Sequence, residues 1–240
     1  MSDNVIVETQ EQLERLIQEW GFLPFFKNAV NGFSIEEIMP PDLIFGEHGE
    51  EGAWQWKRPI ISHWQCAYGK FFAGKAGFVS LDWLPDFMNW RRYLFPLRKF
   101  GSDAHRILKI LADNESMLSK ELKIASGFTL SRKRTVFNPE NPQHPVLNRH
   151  NGMVFDSMIA SLQMGVYVCI ADFEYQISRN GEPYGWGIAR YSTPEAMYEL
   201  DVRSAVCGRS PRQSRCRIVE KISSLFPEAD VKNIDKIVGL

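Results

Sequence analysis

Apolar residues recur at every third or fourth position in several stretches of this chain, and that spacing is typical of amphipathic helices. It predicts helices over residues 5–20, from Ser102 onward, over residues 119–127, over residues 153–164 and from Ser210 onward, with a short last helix after Pro227. The predicted inward positions are Leu13, Leu16, Ile17 and Trp20, then Ala104, Ile107, Leu108 and Leu111, then Leu122 and Ala125, then Phe155, Ile159 and Leu162, and finally Ile218, Val219, Ile222 and Leu225.

Capping residues mark the ends of several of these helices. Serine is favoured at helix starts, so Ser102, Ser119 and Ser210 are predicted N-caps. Glycine ends helices readily because it tolerates the left-handed backbone, so Gly127 and Gly165 are predicted stops.

Alternating apolar and polar residues predict strands in other stretches. Residues 53–62 (AWQWKRPIIS) read as a half-buried strand, and the glycine-rich aromatic residues 68–90 read as short strands or turns. Residues 166–177 and 185–193 flank an Asn180-Gly181 pair, which favours a tight turn between two antiparallel strands.

These elements predict an α+β fold with three regions. Residues 102–194 combine three helices with a hairpin, the element order of a winged helix, and residues 128–151 within it read as a polar loop. The expected division is a mixed, aromatic-rich N-terminal region over 1–100, a winged-helix domain over 101–200 and a C-terminal helical tail over 201–240.

A near match to a phosphate-binding loop lies in the first region. Gly69, Gly74 and Lys75 have the spacing of that motif, but Ala76 stands where the motif needs a magnesium-binding hydroxyl. The flanking residues also do not predict the strand and helix that such a loop joins. We therefore expect no nucleotide to bind there.

Composition and charge narrow the class of protein further. The chain has 240 residues, 44% of them hydrophobic, and a formal net charge of -1, so no global field attracts it to nucleic acid or to membranes. The N-terminus lacks a basic start and an apolar core, and no apolar run approaches the roughly 20 residues of a membrane span. Four cysteines without a C-x-x-C pair favour reduced thiols, so a cytoplasmic protein is expected.

Two segments together resemble a known family. Residues 67–92 (AYGKFFAGKAGFVSLDWLPDFMNWRR) and residues 189–198 (ARYSTPEAMY) are similar to the AlkZ/YcaQ group of bacterial DNA glycosylases, and most similar to its smaller AlkZ-related members. The likeness spans roughly residues 65–200. It implies a winged-helix fold, binding to duplex DNA and, for an active enzyme, removal of an alkylated base.

The catalytic motif of those glycosylases does not transfer. The family places Gln-x-Gln or Gln-x-Asp near the N-terminus, whereas Gln55-Trp56-Lys57 ends in lysine and Gln10-Glu11-Gln12 lies in a charged helix start. The chain is also too short for the three tandem winged helices of the full enzymes. No catalytic residue is assigned, and enzymatic activity stays open.

The predicted mode of DNA binding is contact with the phosphate backbone. The outward face of the 153–164 helix, with Ser157, Ala160, Ser161 and Met164, lacks the long polar side chains that read bases. Basic residues elsewhere suit phosphate contacts, although each cluster could equally be ordinary solvated surface. The predicted contact residues are Arg91, Arg92, Arg132, Lys133, Arg134, Arg179, Arg190, Arg212 and Arg215.

Other candidate chemistry is sparse. The pairs His63 with Cys66 and His144 with His150 do not assemble a four-ligand zinc set, so no metal or cofactor is expected. The carboxylates Asp82 and Asp86 flank Trp83 and could activate water beside a stacked base, or could simply cap turns.

Two functions remain from the sequence. The leading hypothesis is an AlkZ-related winged-helix protein that binds duplex DNA through its backbone. The alternative is a non-enzymatic winged-helix module that binds a protein partner or acts in regulation.

Overall fold

Helices and small antiparallel sheets alternate along the chain in the computed structural model, which describes residues 5–46, 51–128, 135–136, 146–147, 154–178 and 183–239. The helices are α1 (Gln10–Trp20), α2 (Ile35–Ile38), α3 (Pro41–Phe45), α4 (Ala53–Ser62), α5 (Leu84–Leu94), α6 (Gly101–Asn114), α7 (Ser119–Ala125), α8 (Phe155–Met164), α9 (Pro194–Tyr198), α10 (Val202–Ala205), α11 (Pro211–Leu225) and α12 (Val231–Val238). The strands are β1 (Phe22–Pro24), β2 (Cys66–Phe72), β3 (Lys75–Ser80), β4 (Ser116–Leu118), β5 (Thr135–Val136), β6 (Val146–Leu147), β7 (Cys169–Ile177) and β8 (Pro183–Ser192). The predicted α+β class is confirmed.

The first sheet has the order β1-β3-β2, with both pairings antiparallel. Its β2–β3 hairpin contains the near match to a phosphate-binding loop. Ala73 and Gly74 form the turn with positive φ values of 49° and 77°, and the next helix, α5, begins only at Leu84. The strand-turn-helix geometry that cradles a phosphate is therefore replaced by a hairpin.

Local signals at α1 produce the predicted amphipathic helix, although it begins at Gln10 rather than at residue 5. Thr9 and Gln12 form a reciprocal capping box at its start. Gly21 ends it with φ 80°, and a Cβ there would lie 2.4 Å from the Trp83 ring. The predicted inward residues Leu13, Leu16, Ile17 and Trp20 are all buried.

Residues 53–62 form helix α4, so the strand prediction was wrong. The buried positions Ala53, Trp56, Lys57, Ile60 and Ile61 follow helical spacing, and this pattern outweighs the local alternation of the two tryptophans. Residues 84–90, also read as strand or turn, likewise belong to a helix, α5.

The second three-stranded sheet has the order β4-β8-β7 and contacts α6 and α7, and α8 shares a core cluster with these two helices. The three predicted helices are confirmed, but Ser102 and Ser119 lie inside the first turns of α6 and α7 instead of capping them. Gly127 follows α7 with φ 77°, as the stop prediction required. Ala125 is exposed, so its predicted inward position was wrong.

Helix α8 has almost no outward face. Phe155, Ile159 and Leu162 are buried as predicted, but the residues expected to face outward differ: Ser157 is exposed, Ala160 and Met164 are half-buried, and Ser161 is buried. The reason is that α8 also packs on β2 of the first sheet, where the Gln163 Oε1 atom accepts a hydrogen bond from the Lys70 amide at 3.0 Å.

Two parts of this region fall outside the described residues. The Asn180-Gly181 turn is one of them, and the strands that it would connect, β7 and β8, are present as predicted. Most of residues 128–151, expected to be a loop, is the other; within it β5 pairs with β6.

The C-terminal tail packs back onto the first region through a buried charge network. Ser210 caps α11 as predicted, and α12 follows Pro227 as predicted. On α5, Asp86 is 1% exposed and accepts bonds from Arg209 Nε at 2.8 Å and from Ser214 Oγ at 2.6 Å, with Arg217 Nε at 3.2 Å. Within the described residues, no helix is long and apolar enough to cross a lipid bilayer.

Candidate functional site

An open cleft of about 680 Å³ lies where α4, the α6–β4 turn, the β7–β8 hairpin and α9 meet. Its lining includes the polar and aromatic residues Arg58, Trp64, Glu115, Ser116, Asp172 and Arg190, together with the apolar residues Pro59, Ala171, Ala196 and Met197. These residues come from parts of the chain that are far apart in sequence. The cleft therefore exists only because the first region packs against the β7–β8 hairpin.

Arg58 is held across the cleft wall by Asp172. The Arg58 Nε atom lies 2.9 Å from one carboxylate oxygen and Nη2 lies 3.4 Å from the other, and this hydrogen bonding raises the pKa of Arg58. The Arg58 side chain is nonetheless 50% exposed. The carboxylate thus orients the guanidinium while leaving part of it open to a ligand.

Arg190 lies opposite Asp172 in the β7–β8 ladder and is positioned by a second acid. Its Nε and Nη2 atoms donate to the Glu174 carboxylate, and Nη1 donates to the Ser116 carbonyl at 3.4 Å. Two oriented guanidinium groups and the carboxylates Asp172 and Glu115 give the cleft balanced charge. This lining suits a ligand that has both an anionic group and an uncharged polar or aromatic part.

Two residues of the cleft adopt unusual backbone conformations. Trp64, which follows α4, has φ 58°, and Glu115, at the end of α6, has φ 57° with ψ -56°. Residues other than glycine rarely adopt positive φ, and such positions cluster at functional sites. The turn at Glu115 is held by Ser192, whose Oγ donates to the Glu115 carbonyl.

Most of the arginines that were predicted to contact DNA, and that the structure describes, are buried or form ion pairs within the chain. Arg91 is 1% exposed, and its Nε and Nη1 donate to the carbonyls of Met164 at 2.6 Å and Val238 at 3.0 Å. These carbonyls end α8 and α12, where the helix dipoles favour a cation. The Arg91 guanidinium is therefore buried and occupied by backbone carbonyls, and its contact with DNA stays a prediction that the proposal below does not use.

The other predicted contact residues have varied surroundings. Arg92 bonds Glu195 at 2.5 Å and lies over the Tyr167 ring, and Arg215 bonds Asp235. Arg212 is exposed at the start of α11, and Arg190 is the predicted contact residue that lines the cleft. Arg132, Lys133, Arg134 and Arg179 lie outside the described residues.

The glutamines considered for catalysis have structural partners. Gln12 accepts the Glu8 amide at 2.8 Å at the start of α1. Gln55 accepts the Gly52 amide at 3.1 Å and donates to the Phe45 carbonyl at 2.9 Å at the start of α4. Both side chains therefore satisfy backbone groups near helix ends.

The acids and the metal-ligand candidates do not form a catalytic or metal-binding group among the described residues. Asp86 on α5 pairs with Arg209 and with Ser214 of α11, whereas Asp82 is exposed. His63 pairs with Glu14 at 3.0 Å. Across the described ranges, no cluster of three His, Cys, Asp or Glu side chains could hold a metal ion.

A buried lysine lies on the inner side of α4. Lys57 is 2% exposed, and its Nζ atom lies 3.5 Å from the centre of the Trp54 ring and 4.7 Å from that of Phe173. Burial lowers the pKa of Lys57 to about 7. The rings provide cation–π attraction in place of a carboxylate.

Sequence reasoning missed Arg58, Trp64, Glu115 and Asp172 as site residues. The error at α4 explains part of this, because a strand prediction gives Arg58 no definite face. Helical spacing of the apolar residues in 53–62 would have placed Arg58 on the outer side of a helix that ends just before Trp64. No local signal pairs Arg58 with Asp172.

The protein thus has an α+β fold and a cleft lined in part by two arginines and one tryptophan, where the first region packs against the β7–β8 hairpin. The chain matches the AlkZ-related family over residues 7–239 and therefore belongs to that family, as its resemblance predicted. Membership relates it to DNA glycosylase-like proteins. No curated protein and no solved structure matches the chain.

Proposed function

We propose that this chain binds duplex DNA through phosphate contacts made by Arg58 and Arg190 at the cleft and by the basic residues of the 128–151 segment. The observation that carries the proposal is the convergence of two oriented, partly exposed guanidinium groups on an open cleft. Arginine forks suit phosphate oxygens, and such contacts position a protein on DNA without reading its sequence.

The order of elements supports a winged-helix domain over residues 101–200, between the 1–100 region and the 201–240 tail. Helices α6, α7 and α8 share a core cluster that includes Ala104, Leu122 and Leu162, and β4 joins the β7–β8 hairpin at the edge of β8. In a groove-reading winged helix the third helix faces the DNA. The burial of α8 supports backbone contact instead.

Fluorescence anisotropy with a labelled duplex tests the proposal. Affinity should fall steeply between about 50 mM and about 200 mM salt and should depend little on sequence. Arg58→Gln should lower the log-log salt slope by roughly 0.9, the value for one lost phosphate contact. Lys232→Gln on α12 removes the same charge from an exposed site that does not line the cleft, and should leave the slope unchanged.

A second function rests on a different observation. The formal net charge of -1 gives no overall attraction to DNA, which favours a winged helix that binds a protein partner. Absence of DNA binding at about 50 mM salt would select this alternative. Release of a base from an alkylated duplex, measured as new abasic sites, would instead extend DNA binding to glycosylase activity.

A further inference from the structure

The indole of Trp64 is presented to the cleft on an anchored turn. Trp64 is 58% exposed, and its amide donates to the Ile61 carbonyl at 3.1 Å. The flanking residues are tied to α1, since His63 contacts Glu14 at 3.0 Å and the Gln65 carbonyl accepts from Gln18 at 3.3 Å. A bulky residue rarely adopts positive φ, and such turns cluster at sites of ligand contact.

The cleft combines this ring with groups that bind an anion. Its volume of about 680 Å³ falls within the range of small-ligand sites. The Asp172 carboxylate engages Nε and Nη2 of Arg58, which leaves Nη1 with no described partner. A flat ring surface and an open guanidinium edge in one cleft match the two ends of a nucleotide, its base and its phosphate.

We infer that the cleft binds one unpaired nucleotide of DNA, with its base stacked on Trp64 and its phosphate on Arg58. This inference rests on the proposed function and names the part of the DNA that the site takes. A base inside the duplex has both faces covered by its neighbours, so the indole can stack only on a base that has left the stack. Leaving the stack costs least where a base is mismatched, damaged or without a partner.

Stacking on an aromatic side chain is sequence-tolerant, because every base has a π face. The site should therefore prefer DNA that contains an unpaired nucleotide of any kind over fully paired DNA. The preference should depend on the ring at position 64, whereas the general affinity for duplex should depend on the arginines.

The test uses the full chain and two labelled duplexes of equal length, one fully paired and one with a central 2-aminopurine opposite an abasic site. Anisotropy measures affinity for each, and 2-aminopurine fluorescence reports stacking directly. We expect tighter binding and quenched fluorescence for the unpaired duplex. Trp64→Ala should weaken binding to that duplex by about 5- to 150-fold, the range for loss of one stacked base, and should leave binding to the paired duplex unchanged.

Two further variants separate stacking from folding. Trp64→Phe keeps a ring and should retain most of the preference. Tyr93→Ala removes another aromatic side chain, 54% exposed on α5 and outside the cleft lining, and should change neither affinity. Thermal melting of each variant checks the fold.

The outcomes distinguish this inference from the function on which it rests. Equal binding to both duplexes, unaffected by Trp64→Ala, overturns the nucleotide site while duplex binding stands. Absence of binding to either duplex overturns both proposals. Trp64-dependent binding of free deoxyadenosine monophosphate without any preference for the unpaired duplex would overturn the DNA version and assign the cleft to free nucleotides.

Discussion

The α5–α11 interface and the cleft both use arginine–aspartate pairs, but their surroundings differ. At the interface the Asp86 side chain is 2% exposed and is shared by Arg209, Arg217 and Ser214. In the cleft the Arg58–Asp172 pair is 50% and 36% exposed. The first arrangement joins the C-terminal tail to the first region, whereas the second leaves a guanidinium open to solvent.

This difference shows why an arginine cluster in sequence does not identify a binding surface. Arg209, Arg215 and Arg217 belong to one basic stretch, and all of them pair with acids of the same chain. Arg58 lies far from that basic stretch in sequence, yet it lines the cleft. The exposure of the acidic partners separates the two groups: the acids of the tail interface, Asp86 and Asp235, are 2% and 19% exposed, whereas Asp172 beside the cleft is 36% exposed.

The largest expected effect on stability comes from removing the buried Asp86 carboxylate at the α5–α11 interface. Asp86→Ala should lower the free energy of unfolding by about 1.5 to 3 kcal/mol, because the buried Ser214 hydroxyl and the partly exposed Arg209 guanidinium lose the carboxylate that they share. Asp172→Ala, the matched change in the cleft, should cost at most about 1 kcal/mol, since its pair is exposed. Urea unfolding measures both, and equal losses would contradict the distinction.

Lys57 differs from both arginine–aspartate pairs, because it is a buried basic residue with aromatic neighbours and no acidic partner among the described residues. Its folded pKa of about 7 lies below the ordinary 10.5, so the unfolded chain binds more protons between these values. The free energy of unfolding of the wild type should therefore rise with pH across this window, at up to about 1.4 kcal/mol per pH unit.

Lys57→Met removes the titrating amine and keeps an unbranched side chain. We expect the variant to be more stable than the wild type near pH 7, and its advantage should shrink by about 2 kcal/mol on going to about pH 9. Urea unfolding of both proteins at the two pH values measures the change. An advantage that does not vary with pH would show that the lysine is not desolvated in the native state.

A third group of basic residues belongs to the 128–151 segment, at positions outside the described residues. Neutralising Arg132, Lys133 and Arg134 together should lower the salt slope of DNA binding by roughly 2 to 3, at about 0.9 per lost contact. Anisotropy at several salt concentrations measures the slope. An unchanged slope would restrict the phosphate contacts to other residues, such as those of the cleft.

The smallest expected effect concerns α8. Ser157 is exposed but too short for a bidentate contact with a base, so Ser157→Ala should change DNA affinity by less than about twofold. Ser161 is buried and donates to the Ser157 carbonyl at 2.9 Å, so its replacement tests packing and not DNA contact. A large loss of affinity with Ser157→Ala would mean that α8 approaches a groove.

Local chemistry in the sequence determined many of the elements. Helical spacing predicted α1, α6, α7, α8 and α11, Ser210 marked the start of α11, and alternation around Asn180-Gly181 predicted β7 and β8. These signals are readable because capping bonds and side-chain periodicity act within a few residues. Family membership was also predicted from short segments of sequence.

Only the tertiary structure decided the roles of the charged residues and the position of the cleft. The carbonyls that bind Arg91 belong to Met164 and Val238, and the acid that orients Arg58 lies on β7. Neither partnership has a local signal, because each depends on which distant segments the packed core brings together. The same packing covered α8 with β2 and left Trp64 exposed, which is why the surface proposed to bind DNA lies away from the third helix.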